Sequence, residues 1–154
     1  MSIKSVKEEF KARGLSLEVI EMPTSTATVA LAAEALGVEP ARIAKTMAIR
    51  LKGEDILVLS KGDLRLDNKK FKAHFNEKAK MIPFEEVEAA TGHPVGGVCP
   101  FGLDKPLRVF LDESLKIFDV VFPAGGGPNT AVRITVDDLA RVTGGTWVDL
   151  CRGE

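Results

Sequence analysis

The sequence has few of the residues that build disulfides, metal sites and membrane spans. It contains two cysteines and two histidines in 154 residues. Two cysteines do not make a disulfide framework, so we expect a cytoplasmic protein in a reducing compartment. No stretch approaches the roughly 20 apolar residues that a membrane span requires. The first ten residues carry charges without an apolar run, which predicts no signal peptide.

Net charge and the spacing of possible ligands argue against a nucleic-acid-coating protein and against a metal site. The net charge of −1 argues against a protein that coats nucleic acid, although a local basic patch is compatible with that value. His74, His93, Cys99 and Cys151 lack the spacing of a zinc site, and we expect neither a metal nor a cofactor. A nucleophilic pair of Cys99 and His93 is close in sequence, but Cys99 fits a small buried side chain equally well.

The remaining composition is that of an ordinary globular protein. With 45% hydrophobic and 28% charged residues, the 154 residues predict one domain over 1–154. The patterns predict helices over 2–13, 27–36, 67–75, 84–91 and 135–142. They predict strands over 15–22, 43–51, 55–60, 109–112, 117–122, 131–135 and 146–150, with a hairpin turn at Lys52-Gly53-Glu54. The candidate N-caps are Thr26 or Thr28 for the second helix, Asp67 for the third and Thr135 for the last. Short helices and strands without regular βαβ alternation predict an α/β fold with a mixed sheet.

Lys45 stands on what the sequence predicts to be the apolar face of a strand. Residues 43–51 alternate with period two, so Lys45 shares a face with Ile43, Met47 and Ile49. A buried ammonium without a partner costs several kcal/mol by typical estimates, so it needs a partner, a lowered pKa or a solvated cleft. Two interpretations remain open: a lysine that reaches solvent from a strand end, and a cleft lysine that meets a polar or anionic ligand.

Two glycine- and proline-rich loops occupy residues 92–102 and 124–129. Free N–H groups in such loops can hold an anion or a carbonyl oxygen, and the alternative is a pair of tight turns. Neither loop is a nucleotide fingerprint, because the first lacks the Walker lysine and the second leads into a strand. A basic cluster lies along the sequence between the predicted strand 55–60 and the first of these loops. It is either a solvated face or a patch that contacts phosphates. Its members are Lys61, Arg65, Lys69, Lys70, Lys72, Lys78 and Lys80.

Five motifs follow one another in a specific order. They are the Thr/Ser-rich segment 23–28, the strand Ile43-Ala44-Lys45-Thr46-Met47, the stretch 62–67 followed by Lys69-Lys70, the Gly-x-x-x-Pro loop 96–100, and Ala124-Gly125-Gly126. Over about residues 15–148 this order resembles the YbaK/EbsC-type family of aminoacyl-tRNA deacylases. That family is related to the editing domain of bacterial prolyl-tRNA synthetases. Each motif is weak alone, and the match depends on their order and spacing.

The resemblance implies a fold, an activity and a set of site residues. The fold would be a single domain with a curved, barrel-like mixed sheet flanked by short helices. The activity would be metal-independent trans-editing, in which water hydrolyses the ester between a wrong amino acid and the terminal adenosine of a tRNA. The catalytic residues implied are Lys45, Gly96, Gly97, Pro100, Gly125 and Gly126. An aminoacyl-tRNA acceptor end is the expected substrate, and a synthetase is a second expected partner.

The expected pocket takes a small side chain. Its predicted lining is Thr26, Thr28, Val29, Met47, Cys99 and Ala124, and the predicted tRNA contacts are Arg65, Lys69 and Lys70. The cysteine-directed branch of the family has an acidic residue after the second loop, and the alanine-directed branch has a histidine where this chain has Ala124. The amino acid removed is therefore left open. Alternatives from other classes are a non-catalytic module that binds tRNA or a synthetase, and an esterase that acts without tRNA.

Overall fold

A mixed four-stranded sheet organises the computed structural model, which describes residues 2–153. The ends of the predicted domain, Met1 and Glu154, lie outside the described residues. The helices are α1 Ser2–Ala12, α2 Val29–Leu36, α3 Asn68–Phe75, α4 Val87–Thr91 and α5 Val136–Thr143. The strands are β1 Val19–Glu21, β2 Ala44–Leu51, β3 Glu54–Lys61, β4 Arg65–Leu66, β5 Arg108–Asp112, β6 Val120–Val121, β7 Thr130–Val132, β8 Ile134–Thr135, β9 Thr146–Val148 and β10 Cys151–Arg152. Short 3₁₀ turns cover Pro40–Arg42, Phe84–Glu86 and Glu113–Ile117.

The main sheet has the order β2-β3-β5-β9. Strands β2 and β3 are antiparallel, whereas β3, β5 and β9 run parallel to one another. Three two-stranded antiparallel ribbons, β1–β7, β4–β10 and β6–β8, complete the strand pairing. Among residues 2–153 no sheet closes on itself, so the expected mixed α/β fold is present but the barrel-like sheet is not. Most strands are only two or three residues long. Strands β2 and β9 are the two edges of the four-stranded sheet.

The predicted hairpin forms β2 and β3. The pairing runs in register from Ala44↔Lys61 to Leu51↔Glu54, and Gly53 in the turn has φ +87°. Such a turn favours glycine because a Cβ is strained at that φ. The hairpin is the longest strand pair in the described chain.

Both faces of β2 are covered, which corrects the prediction of a single apolar face. Ala44 and Ala48 pack into one core with Leu57 and Leu59 of β3. Ile49 and its alternate neighbours pack into a second core on the other side of the sheet. The face with Ala44 and Ala48 gives a weak signal in the sequence, because the larger side chains of the other face dominate the period-two alternation. Lys45 shares its face with the second core.

Side-chain caps determine where three helices begin. Thr28, Asp67 and Thr135 each accept a hydrogen bond from a backbone N–H of the first helical turn. Several strands are shorter than predicted. Residues 131–135 divide at Arg133, since β7 pairs with β1 and β8 pairs with β6. The predicted strand at 15–22 keeps only β1, because only its end finds a partner strand.

Candidate functional site

A cavity of about 230 Å³ lies beside β2, where the two glycine loops and the start of α2 meet. Its lining is mostly apolar, with threonine side chains on one side. The lining residues are Thr26, Ala27, Thr28, Val29, Ala32, Ile43, Ala44, Lys45, Thr46, Ala48, Met81, Ile82, Val87, Val95, Gly96, Val98, Phe122, Pro123, Ala124, Thr130 and Ala131. A concave, mainly apolar site with a few polar groups is typical of a small-molecule or cofactor pocket.

Lys45 alone carries a charge among the described residues that line this cavity. Its side chain is half-buried, and its ammonium donates a hydrogen bond to the Leu64 carbonyl. An ammonium has three N–H donors, so Leu64 occupies one and leaves two for other acceptors. The segment after β3, and not a glycine loop, supplies this acceptor.

The outer edge of β2 makes backbone hydrogen bonds at Ala44 and at Ala48, on either side of Thr46. The backbone N–H of Ala44 donates to Phe122 O at 3.1 Å, and Ala48 O accepts from Ile82 N at 3.0 Å. Alternate residues of a strand direct their N–H and C=O groups to the same edge, so those of Thr46 also point outward. Within residues 2–153 no hydrogen bond closes this edge at Thr46.

Thr46 also presents a side chain that sequence reasoning missed. Its Oγ1 is buried, lines the cavity and has no hydrogen-bond partner among the described residues. A buried hydroxyl without a partner is unusual and is explained when a ligand or water supplies the missing bond. The sequence carries one signal that could have identified Thr46: its hydroxyl follows Lys45 directly, and it shares a strand face with the small residues Ala44 and Ala48.

The two glycine loops pack against each other instead of around a ligand. A Cβ on Gly97 would lie 2.6 Å from Gly127 N, and one on Gly96 would lie 2.9 Å from Ala27 Cβ. These close approaches leave no room for a side chain at either position. Of the six residues implied as catalytic, Lys45 and Gly96 line the cavity, whereas Gly97, Pro100, Gly125 and Gly126 are buried behind its wall.

Thr130 holds the second glycine loop closed. Its Oγ1 accepts hydrogen bonds from Gly125 N at 2.9 Å and Gly127 N at 3.0 Å, and it donates to Gly127 O at 2.8 Å. Thr26 joins the same wall, because its Oγ1 donates to Thr130 O at 2.9 Å. The N–H groups of Gly125 and Gly127 are thus already bonded within the loop, which acts as a rigid wall.

Cys99 and His93 form a close but buried pair. Cys99 Sγ lies 3.5 Å from His93 Nε2, and that nitrogen donates to Phe101 O at 2.6 Å. Both side chains are fully buried and lie outside the cavity lining. Burial raises the pKa of the Cys99 thiol to about 12, so the thiolate needed for nucleophilic attack does not form near neutral pH. The pair supports the first glycine loop from beneath.

His93 makes the stability depend on pH. Burial lowers its pKa, and its Nδ1 has no partner among the described residues. Below the unfolded-state value of about 6.5 the unfolded chain binds more protons than the folded chain. We therefore expect the contribution of His93 to the free energy of unfolding to be level above about pH 6.5 and to fall as the pH drops below it. Urea unfolding between about pH 8 and pH 5 measures this slope.

A His93→Gln variant is the control for that slope, because glutamine does not titrate. Its free energy of unfolding is expected to be lower at neutral pH and to depend less on pH below about 6.5. An equal slope in both proteins would assign the acid sensitivity to other groups and contradict the prediction.

The predicted substrate-binding residues divide between the cavity lining and the two cores. Thr26, Thr28, Val29 and Ala124 line the cavity. Met47 and Cys99 do not. Met47 packs against the second core, because odd-numbered positions of β2 face away from the main body of the cavity. Its predicted place in the pocket is therefore corrected.

The predicted tRNA contacts lie away from the cavity lining, on β4 and α3. Arg65 and Lys69 are exposed. Lys70 instead donates to Asp149 and to Cys151 O, each at 2.9 Å, and its hydrogen bond to the Asp149 carboxylate raises the pKa of Lys70. Lys70 thus links α3 to the C-terminal strand, which makes it a poorer phosphate contact than the sequence indicated.

Residues 2–153 contain no group of three His, Cys, Asp or Glu side chains placed to hold a metal ion. No helix in this part of the chain is long and apolar enough to cross a membrane.

Comparison with known proteins matches this chain along nearly its whole length. YwhH of Bacillus subtilis, which carries no functional description, is 44% identical over 154 residues that cover 99% of this chain and 98% of that protein. EbsC of Enterococcus faecalis, named as a candidate Cys-tRNA(Pro)/Cys-tRNA(Cys) deacylase, is 28% identical over 124 residues, 79% of this chain and 76% of that protein. A crystal structure described as a candidate trans-editing enzyme for prolyl-tRNA synthetase superposes with a TM-score of 0.91 and 35% identity. It covers 99% of this chain and 98% of that chain.

The family comparison agrees with these relatives. The aminoacyl-tRNA editing domain matches residues 24–142, which include the start of α2, the hairpin and both glycine loops. The chain therefore belongs to the aminoacyl-tRNA editing domain family.

Proposed function

We propose that this chain is a trans-editing deacylase, which hydrolyses the ester of a mischarged aminoacyl-tRNA with water and without a metal. The observation that carries the proposal is that Lys45, on the strand beside the apolar cavity of an editing-domain chain, is the single cationic residue among the described residues of the cavity lining. The aminoacyl group occupies the cavity, and the tRNA lies outside it. Residues 1–154 act as one domain in this proposal.

Lys45 binds and polarises the ester carbonyl. Leu64 holds the ammonium in place with one hydrogen bond, and the remaining N–H donors serve the developing oxyanion. Water attacks the carbonyl carbon, the bond to the ribose oxygen breaks, and that oxygen takes the proton. The products are the free amino acid and the free tRNA. An aminoacyl ester is intrinsically labile, so positioning accounts for much of the rate.

Thr46 supplies the second set of polar groups. Its outward N–H at the open edge of β2 is a further donor for the oxyanion, and its Oγ1 bonds a polar group of the aminoacyl moiety. Preorganised donors of this kind are worth more in a water-excluded site than in bulk water. Lys45 and Thr46 are adjacent on one strand, so the rigid hairpin sets their relative position.

A small amino acid fits the cavity best. The cavity holds only about 230 Å³, and its lining includes the alanines Ala44, Ala48 and Ala131 and the valines Val29 and Val98. Pocket contacts of this kind discriminate one methylene by only about 1–3 kcal/mol, which favours several small substrates over one. The names of the relatives support Cys-tRNA(Pro) and Cys-tRNA(Cys) as the first substrates to test.

A panel of charged tRNAs tests the proposal. The purified protein is incubated with labelled Cys-, Ala-, Ser- and Pro-tRNA(Pro), and the release of each amino acid is measured. We expect rapid release of one or more small non-cognate residues and slow release of proline. Binding of tRNA without release of any amino acid would favour the non-catalytic module. Hydrolysis of simple amino-acid esters at the rate of aminoacyl-tRNA would favour an esterase that does not need tRNA.

A further inference from the structure

Three apolar side chains are exposed around the mouth of the cavity. Met81 is 57% exposed and Val95 is 45% exposed, and both line the cavity. Phe84 is 74% exposed, the highest value among the exposed large hydrophobic residues of the described chain. An aromatic ring left in solvent beside a pocket needs a reason, because burying it is worth about 2–3 kcal/mol.

The backbone holds this rim in a defined position. Arg50 N donates to Lys80 O at 2.7 Å, and Ile82 N donates to Ala48 O at 3.0 Å, so residues 80–82 run along the edge of β2. Phe84 follows two residues later, so its Cα is within about 7.6 Å of the Ile82 Cα. Val87, which comes next on α4, lines the cavity again. The backbone of Phe84 therefore lies between two residues that line the cavity, Ile82 and Val87.

The charges beside Phe84 favour a polyanion on its N-terminal side. Lys78 and Lys80 are exposed, and neither is in an ion pair within residues 2–153. Glu86 is neutralised by Arg50, whose Nη1 lies 2.7 Å from its carboxylate. The free carboxylates of Glu85 and Glu88 follow Phe84 in the chain, so phosphates are expected on the lysine side of the ring.

We propose that Phe84 stacks on a base of the single-stranded 3′ end of the tRNA, while Lys78 and Lys80 contact its phosphates. The inference rests on the proposed function. An aminoacyl group inside the cavity places its ribose at the mouth and the adjoining nucleotides on the rim. Exposed aromatic rings beside lysines are how proteins hold single-stranded RNA without reading its sequence. The rim, and not the α3 surface with Lys69 and Lys70, is then the contact for the acceptor end.

Binding of a short RNA tests the stacking without requiring catalysis. The probe is a fluorescein-labelled ACCA tetranucleotide, and its affinity is measured by anisotropy. Stacking is worth about 1–3 kcal/mol per base, so Phe84→Ala should weaken binding by at least about fivefold. Phe84→Tyr keeps an aromatic face and should bind within about twofold of the unchanged protein. Ile117→Ala removes another exposed apolar side chain, 68% exposed and outside the cavity lining, and should leave the affinity unchanged.

The lysines are tested by salt. Affinity falls as salt rises, and replacing both Lys78 and Lys80 with glutamine should make the plot of log affinity against log salt shallower by about 1.4. The Lys105→Gln variant should leave this slope unchanged. Equal affinity of the Phe84→Ala and unchanged proteins for ACCA would overturn the inference. So would an equal loss in the Ile117→Ala variant, or a protein that does not bind ACCA at all.

The inference and the proposed function fail separately. Rapid deacylation with no effect of Phe84→Ala on ACCA binding would overturn the inference and leave the proposed function standing. Phe84-dependent binding without deacylation of any charged tRNA would overturn the proposed hydrolysis and support the rim as an RNA contact. Reduced binding by Phe84→Ala with unchanged thermal stability separates stacking from loss of structure.

Discussion

Replacement of Lys45 by alanine is expected to abolish deacylation while leaving the fold intact. Lys45 is the single charged residue on the described cavity lining, so no other charged side chain of that lining replaces it at the oxyanion. Loss of one preorganised oxyanion donor lowers kcat by about 10²–10³-fold in other hydrolases. The side chain of Lys45 donates one hydrogen bond in the described structure, to the Leu64 carbonyl, and the loss of that bond costs about 1 kcal/mol. Single-turnover deacylation and urea unfolding measure the two effects.

The matched control for Lys45 is Lys69→Ala, an exposed lysine on α3 outside the cavity lining. It is expected to retain hydrolysis at saturating substrate. Lys45→Arg preserves the charge but changes the shape of the donor group, and we expect it to recover only part of the rate. A fully active Lys45→Ala protein would remove the basis of the proposed mechanism.

Replacement of Thr46 by valine is expected to move activity and stability in opposite directions. The hydroxyl is buried without a partner in the described structure, so exchanging it for a methyl group should leave the free energy of unfolding unchanged or raise it by about 1 kcal/mol. If the hydroxyl bonds the aminoacyl moiety, kcat/KM should fall on the order of 10–100-fold, because the substrate's polar group is then left unpaired. Deacylation kinetics and urea unfolding on the same preparation test both.

Thr46→Ser is the control, because serine keeps the hydroxyl and loses one methyl group. It should retain most of the activity that valine loses. Activity of Thr46→Val equal to that of the unchanged protein would contradict the role of the hydroxyl. Parallel losses of activity and stability would show that Thr46 acts through packing.

Local signals predicted the short-range parts of this fold. The caps at Thr28, Asp67 and Thr135 and the turn at Gly53 depend on residues within one turn of the chain, and all four are present in the structure. The strands were predicted less well. The breaks in the predicted strands 15–22 and 131–135 occur where the chain changes its pairing partner, and nothing local specifies that partner.

The site shows the same division. Period-two alternation placed Met47 with Lys45, but it could not show that the opposite face, with Ala44, Thr46 and Ala48, carries the cavity. Thr46 was missed because a buried hydroxyl is recognised by the absence of a partner, which is a property of three dimensions. The glycine loops were identified, whereas their mutual packing and the bonds that Thr130 makes to them were not.

The sequence by itself determined the family resemblance, the caps and the hairpin, and it predicted a role for Lys45, because these depend on residue type and spacing along the chain. Only the tertiary structure decided that Leu64 accepts a hydrogen bond from the ammonium, that Asp149 pairs with Lys70, and that Phe84 is exposed. The physical reason is that hydrogen bonds, burial and cavity walls are made between residues far apart in sequence. Local patterns carry no information about which of those distant groups meet.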